Sequence, residues 1–257
     1  MKRPFGQNFL FDKNILRKIA AAGNVSDKDI VVEIGPGLGT LTAIIAEKAK
    51  KVIAIEFDKK LIAPLEKNVS HFSNIEIVNR DALKFPYETI KGTFMVIANI
   101  PYNITTPLIF RLLEYRTKLQ SMTLLMQREV AKRIVASPGT KDYGVLSLSL
   151  QLRTKPELKF TVSKKVFSPP PKVDSSVVHF DILQKPPYNI RDEKLFLDIV
   201  KTAFSQRRKT LVNSLKKFDG IQDLLQVADI DPKLRPGMLS MEDYARLSKA
   251  LGGLVRQ

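Results

Sequence analysis

Three glycines at alternate positions set the strongest constraint on this chain. They stand in Val31-Val32-Glu33-Ile34-Gly35-Pro36-Gly37-Leu38-Gly39-Thr40. There an apolar, strand-like run gives way to the helical pattern of Leu41–Lys50. Glycine at such a junction permits a tight turn and lets a ligand approach the backbone. The loop falls at the carboxyl end of a strand, where open α/β sheets bind ligands. Two nucleotide-loop patterns do not fit it. A phosphate-cradling loop ends in Gly-Lys-Ser/Thr, but Gly39 is followed by Thr40 with no lysine. A dinucleotide loop needs Gly-x-Gly-x-x-Gly, whereas positions 35, 37 and 39 are each two apart.

The rhythm around this loop predicts an α/β fold. Strand-like runs at Ile30–Ile34, Lys51–Glu56, Asn74–Asn79, Phe94–Asn99 and Ser121–Met126 alternate with helix candidates at Leu41–Lys50, Lys59–Val69, Pro107–Tyr115 and Arg128–Ala136. That alternation implies βαβ units and a mainly parallel sheet covered on both faces. Leu146–Thr154, Leu158–Val162 and Ser176–Leu183 read as further strands, some antiparallel at the sheet edge. Thr106 and Pro107 read as an N-cap and first helical residue. Gln184-Lys185-Pro186-Pro187 marks a boundary, because paired prolines cannot continue a strand ladder. Beyond it Glu193–Ser205, Lys209–Lys217, Gln222–Val227 and Met241–Leu251 are helical in pattern. The expected domains are therefore 1–184, carrying the cofactor site, and 185–257, small and all-helical.

Composition narrows the function classes. The 257 residues carry 42 Lys and Arg against 26 Asp and Glu, a net charge of +16. The excess is shared: 28 basic and 17 acidic residues in 1–181, 14 and 9 in 182–257. Such a balance favours a polyanionic partner through phosphate contacts and counterion release. There is no cysteine, which excludes disulfides and thiolate metal sites. His71 and His179 are the two histidines, so a His-rich metal site is not expected; each reads as a surface or satisfied strand residue. No signal-peptide run follows Met1-Lys2-Arg3-Pro4 and no apolar run reaches membrane-span length, so a cytoplasmic location is expected.

The Glu-x-Gly-x-Gly-x-Gly pattern resembles motif I of the class I methyltransferases, Rossmann-like domains in which this loop wraps the methionine part of S-adenosylmethionine. Gly35 and Gly37 are the cofactor candidates of the loop. Glu56 closes the next strand, 21 residues after Gly35, where a carboxylate can take both hydroxyls of a ribose. Asp81 ends the third strand in Asn79-Arg80-Asp81-Ala82, at the position that faces the cofactor's adenine in this fold. The fourth strand ends in Asn99-Ile100-Pro101-Tyr102. An adenine amino nitrogen is a poor nucleophile, because its lone pair is delocalised into the ring. Two acceptors, the Asn99 side-chain oxygen and the Ile100 carbonyl, would favour a more tetrahedral nitrogen aimed at the methyl group. Pro101 fixes the turn, and Tyr102 can stack on a base taken out of its helix. Asn in place of Asp keeps the acceptor uncharged beside a cationic cofactor.

With these motifs the chain resembles, nearly end to end, the KsgA-type dimethyladenosine transferases of small-subunit ribosomal RNA. The stretches that carry the resemblance are Phe5–Leu10, Glu33–Gly39, Asn99–Tyr102, Gln127–Ala131, Gly139–Gly144, Val166–Ser175 and Phe204–Leu211. The resemblance implies cofactor contacts for Asn8 and Leu10. It implies that Phe167 stacks on the target base opposite Tyr102. Arg207, Arg208 and Lys209 suit phosphate contacts, although consecutive helical residues do not share one face. It further implies N6,N6-dimethylation of two adjacent adenosines, a monomeric enzyme, and a partner in the small-subunit RNA of a pre-ribosomal particle, with no metal and no membrane. Gly237 departs from the pattern, which leads one to expect an acid there. Two rival readings are an erythromycin-resistance-type methyltransferase of large-subunit RNA and a ribosome-assembly factor that mainly binds RNA. The glycine spacing and the lack of a hydride-chemistry pair set aside a nicotinamide oxidoreductase.

Overall fold

A computed structural model describes residues 8–254; Phe5, Gly6 and Gln7 of the N-terminal stretch lie outside the described residues. The strands are β1 (Phe9–Leu10), β2 (Ile30–Ile34), β3 (Lys51–Glu56), β4 (Ile75–Asn79), β5 (Phe94–Asn99), β6 (Leu119–Gln127), β7 (Thr154–Val162), β8 (Phe167–Ser168) and β9 (Ser175–Ile182). The helices are α1 (Lys13–Ala22), α2 (Thr40–Ala46), α3 (Lys59–Val69), α4 (Thr105–Leu113), α5 (Arg128–Val135), α6 (Val145–Gln151), α7 (Glu193–Ser205), α8 (Leu211–Ser214), α9 (Ile221–Val227) and α10 (Met241–Leu254). The chain divides into two compact units, residues 1–131 with 155–184, and residues 132–154 with 185–257.

The first unit holds a seven-stranded sheet of order β4-β3-β2-β5-β6-β9-β7. The pairs β2–β3, β2–β5, β3–β4 and β5–β6 are parallel, and β9 runs antiparallel to β6. The near-continuous apolar runs of β2, β3 and β5 suit a sheet buried on both faces. Strand order reverses at β2, whose neighbours are β3 on one side and β5 on the other, so a crevice forms at the carboxyl ends of these strands. Aspartates start two of the covering helices: Asp12 caps α1 by accepting from Asn14 and Ile15 N–H, and Asp58 caps α3 by accepting from Lys60 N–H. A separate two-stranded sheet joins β1 to β8, with Phe9 opposite Ser168 and Leu10 opposite Phe167. The expected strand role of the later segments holds for β7 and β9. His179 is a satisfied strand residue, its Nδ1 2.8 Å from the Thr123 hydroxyl.

The second unit is helical and has its own core, including Tyr143, Leu148, Phe196, Ile199, Leu225 and Tyr244. It differs from the expected 185–257 domain because residues 132–154 belong to it. Ala136, Tyr143, Leu148 and Leu152 are part of that core, so burial assigns them there. The expected strand at Leu146–Thr154 is the helix α6 instead. Its Leu-Ser-Leu-Ser-Leu alternation imitates a half-buried strand, yet Ser147 and Ser149 are buried as well. Ser147 escapes the cost of burial by donating to the Arg133 carbonyl at 2.5 Å and accepting from Gly144 N–H at 3.1 Å. Two further expectations are revised. Helix α4 starts at Thr105 with Ile104 at its N-cap, and no side chain caps it. Arg207, Arg208 and Lys209 lie in the turn between α7 and α8 and not on a helix, where Lys209 N–H closes onto the Gln206 carbonyl at 2.9 Å.

Candidate active site

The glycine loop is pinned to the neighbouring strand β3. Gly35 N–H donates to the Ile55 carbonyl of β3 at 3.0 Å. Gly37 has φ +60°, and a Cβ there would stand 2.8 Å from the Phe9 ring. Only glycine therefore serves at 37, both for its left-handed backbone and for the approach of the N-terminal strand.

Glu56, the last residue of β3, holds the loop as well. Its Oε2 accepts from Gly37 N–H at 3.1 Å and its Oε1 from Asp58 N–H at 2.8 Å. Burial raises its pKa, and the amides of Asp58, Gly37 and Phe57 oppose the rise. Glu33 is more deeply placed, 2% exposed within β2. Burial pushes its carboxyl up to about 8, and the Glu56 carboxylate adds to the rise. Thr42 stands close enough to oppose the shift but outside hydrogen-bonding geometry, so Glu33 Oε2 and the Thr42 hydroxyl have no partner among the described residues. Glu33 was readable as part of the glycine motif but not as a site residue; an acid inside an apolar strand was the available signal.

Two hollows open at this edge of the sheet. One is lined by Asn8–Phe11, Glu33, Gly35–Leu38, Glu56, Asn99 and Pro101. The other is lined by Phe57, Asp58, Arg80–Leu83, Pro101, Asn103 and Ile104 among others. Gly35 and Pro101 belong to both. Asp81 lies two residues beyond β4, and its Oδ1 accepts from Leu83 N–H at 2.9 Å. Phe57, Arg80 and Leu83 were not anticipated, because adjacency to a strand end carries no residue pattern of its own.

The Asn-Ile-Pro-Tyr turn closes β5 between the hollows. Asn99 Nδ2 donates to the Asn8 carbonyl at 3.4 Å. Ile100 N–H donates to the Leu125 carbonyl at 3.2 Å, and Ile104 N–H to the Pro101 carbonyl at 3.1 Å. Tyr102 is half-buried, and its hydroxyl lies 2.7 Å from Ser175 Oγ. Burial raises its pKa, so it stays a neutral phenol. The structure therefore brings Asn8, Leu10, Gly35, Gly37, Glu56, Asn99 and Pro101 to one hollow and Asp81 to the adjoining one. Phe167 differs from expectation. Its ring is 4% exposed in a cluster with Leu10, Leu16 and Leu125, so it offers no open stacking face in this conformation. Pairing β8 with β1 draws it inward.

In the helical unit, Arg207 Nη2 donates to the Thr140 carbonyl at 3.1 Å. Gly237 lies against it, the position of a Cβ being 3.8 Å from the Arg207 guanidinium. Arg208 and Lys209 are exposed. Among the described residues no group of three His, Cys, Asp or Glu could hold a metal ion, and no helix is long and apolar enough to cross a membrane.

This sheet order, with a glycine loop after β2, a carboxylate closing β3 and an Asn-Ile-Pro-Tyr turn closing β5, defines a class I methyltransferase. The family model of ribosomal RNA adenine dimethylase matches residues 1–252. The chain belongs to this family. It is 43% identical to ribosomal RNA small subunit methyltransferase A of Geobacillus sp. strain WCH70, over 97% of this chain and 91% of that protein. To the protein of the same name from Caldanaerobacter subterraneus subsp. tengcongensis it is 41% identical, over 100% and 99%. Among solved structures it is similar to a dimethyladenosine transferase from Plasmodium falciparum, with TM-score 0.81 and 29% identity over 93% of this chain and 95% of the other. It is also similar to the 23S rRNA methyltransferase ErmE, with TM-score 0.78 and 26% identity over 95% and 100%.

Proposed function

We propose that the protein transfers methyl groups from S-adenosylmethionine to the amino nitrogens of two adjacent adenosines in small-subunit ribosomal RNA, forming N6,N6-dimethyladenosine in a cytoplasmic pre-ribosomal particle. The observation that carries this reading is the orientation of Asn99 beside the glycine loop, in a chain of this family. With Nδ2 turned to the Asn8 carbonyl, Asn99 keeps Oδ1 for the incoming amino group.

The donor set fits a cationic, ribose-bearing cofactor. Glu33 and Glu56 place two carboxyls at one hollow, and Glu33 Oε2 is buried without a partner among the described residues. A buried acid of this kind is relieved by a positive ligand. Glu56 would hold the ribose hydroxyls, Gly35 and Gly37 would admit the methionine part, and Asn8 and Leu10 would cover it. Asp81 would meet the adenine. When bound, S-adenosylmethionine supplies an electrophilic methyl group on a cationic sulfur.

The remaining work falls to the turn. Asn99 Oδ1 and the Ile100 carbonyl accept the two amino hydrogens and free the nitrogen lone pair. Pro101 sets their spacing, and Tyr102 supports the face of the extruded base. The nitrogen loses its proton to water after transfer, so no general base is required. Phe167 would become a second aromatic wall only when its ring is uncovered. Arg208 and Lys209 would bind RNA phosphates, with Arg207 holding their turn in shape. The chain acts as a monomer in this reading.

The test is incubation with labelled S-adenosylmethionine and under-methylated small ribosomal subunits, followed by nucleoside analysis. Dimethyladenosine at two neighbouring positions is expected. The likeness to ErmE favours one second reading, methylation of large-subunit RNA. Label in that RNA, or macrolide resistance on expression in a sensitive host, would select it. Cofactor binding with no transfer to any RNA would favour an assembly factor.

A further inference from the structure

Tyr102 and Ser175 are 73 residues apart in sequence, and their hydroxyls meet at 2.7 Å. The backbone turn over Pro101–Ile104 fixes the Cα of Tyr102 but leaves its two side-chain torsions to be settled elsewhere. The far end of the ring is where a tether restricts it most.

The other end of that tether is rigid. Ser175 is fully buried and opens β9, opposite Gln127 at the end of β6. Asn99 pairs with Leu125 two residues earlier on the same strand, so Ser175 stands at the same edge of the sheet as the Asn-Ile-Pro-Tyr turn. The residue before it is pinned twice: the Asp174 carbonyl accepts from Arg128 N–H at 3.0 Å, and Asp174 Oδ1 accepts from Lys164 N–H at 3.0 Å. Arg128 also faces the Asp174 carboxylate at 3.6 Å. A neutral phenol and a serine hydroxyl can each donate or accept, so the bond holds across the working pH range.

We propose that Ser175 is a positioning residue for the target base, its buried hydroxyl holding the Tyr102 ring fixed as a stacking face beside Asn99. The proposal rests on the reading that an adenine stacks on Tyr102. A preorganised face removes from the transferring complex the cost of ordering the ring. Ser175 itself touches no reacting atom.

Four variants test this with labelled S-adenosylmethionine and under-methylated small subunits: Ser175→Ala, Ser175→Thr, Tyr102→Phe and the double Ser175→Ala/Tyr102→Phe. We expect Ser175→Ala and Tyr102→Phe each to lower kcat about tenfold, with cofactor Kd and subunit KM within about twofold of the parent. Ser175→Thr, which keeps a hydroxyl, should restore most of the rate. The double variant should be no slower than either single one, since both remove the same bond. A parental kcat in Ser175→Ala, or losses that multiply in the double variant, would overturn the proposal. If Ser175→Ala fails to fold, Tyr102→Phe removes the bond from the part-exposed side, and a parental kcat there is equally decisive against it. Tyr102→Ala separates the two levels. A silent Tyr102→Ala removes the stacking role and this proposal with it, whereas an impaired Tyr102→Ala beside a silent Ser175→Ala removes the positioning role alone.

Discussion

Gly37 donates its backbone N–H to Glu56 Oε2 across 3.1 Å, which makes the turn after β2 and the end of β3 one hydrogen-bonded assembly. The carboxylate thus shapes the loop before any ligand arrives. Glu56→Ala is expected to weaken S-adenosylmethionine binding by about 10- to 100-fold, the range for losing charge-assisted hydrogen bonds. Isothermal titration measures this directly, and unchanged affinity would remove Glu56 from the site.

Glu33 gives a pH signature. In the folded chain its carboxyl keeps a proton up to about pH 8, against an ordinary carboxyl value of 4.5. Between these values the folded state binds more protons than the unfolded one, so stability falls as pH rises through the window. Glu33→Gln should flatten that fall, gaining on the order of 2–4 kcal/mol relative to the parent between pH 5 and pH 9. Urea unfolding of the cofactor-free protein is the measurement, and parallel pH curves would refute the assignment.

Asn99→Ala should separate binding from chemistry. The expected result is a kcat lower by about 10²–10³, the scale of losing one preorganised transition-state partner. Affinity for S-adenosylmethionine should change only a few-fold. A variant that binds neither cofactor nor RNA would show that Asn99 shapes the pocket as a whole.

At Gly39, φ is +84°, and an added Cβ would lie 2.6 Å from Leu65 Cδ1 and 2.9 Å from Val69 Cγ1. Gly39→Ala is therefore expected to cost about 2–3 kcal/mol from backbone strain and overpacking together. The midpoint of denaturant unfolding reads this out. A neutral substitution would mean that α3 shifts freely, contrary to the packing described.

The turn at 207–209 divides its labour. Arg208→Glu with Lys209→Glu should weaken binding to small-subunit RNA and lower the slope of log K against log salt by about two to four. Arg207→Ala, which loses the bond to Thr140, should act mainly through stability. Filter binding from low to high salt, beside thermal melting, distinguishes the two effects.

Much of this site was legible in one dimension. The glycines at 35, 37 and 39, Glu56 and Asn99–Tyr102 all sit at strand ends, and the strands were marked by their own apolar runs. Local periodicity misled most where burial overrode it. In α6 the buried serines copied the period of a strand, and satisfied hydroxyls made that possible. Long-range pairings left no local trace: Ser175 with Tyr102, β1 with β8, and residues 132–154 with the helical core. The raised pKa of Glu33 was hidden for the same reason, since burial is a property of the assembled sheet.

The pairing of β1 with β8 has a consequence for synthesis. Phe9 and Leu10 are made before the other described strands, but their strand partners are Ser168 and Phe167. On a chain growing from the N-terminus, that strand has no ladder to join until more than 150 further residues have been added. The parallel β2–β6 region can be translated in full by then. The segment that covers the glycine loop is thus made before the loop and tied down long after it, and a nascent chain cut short before residue 167 would carry the loop without its cover tied down.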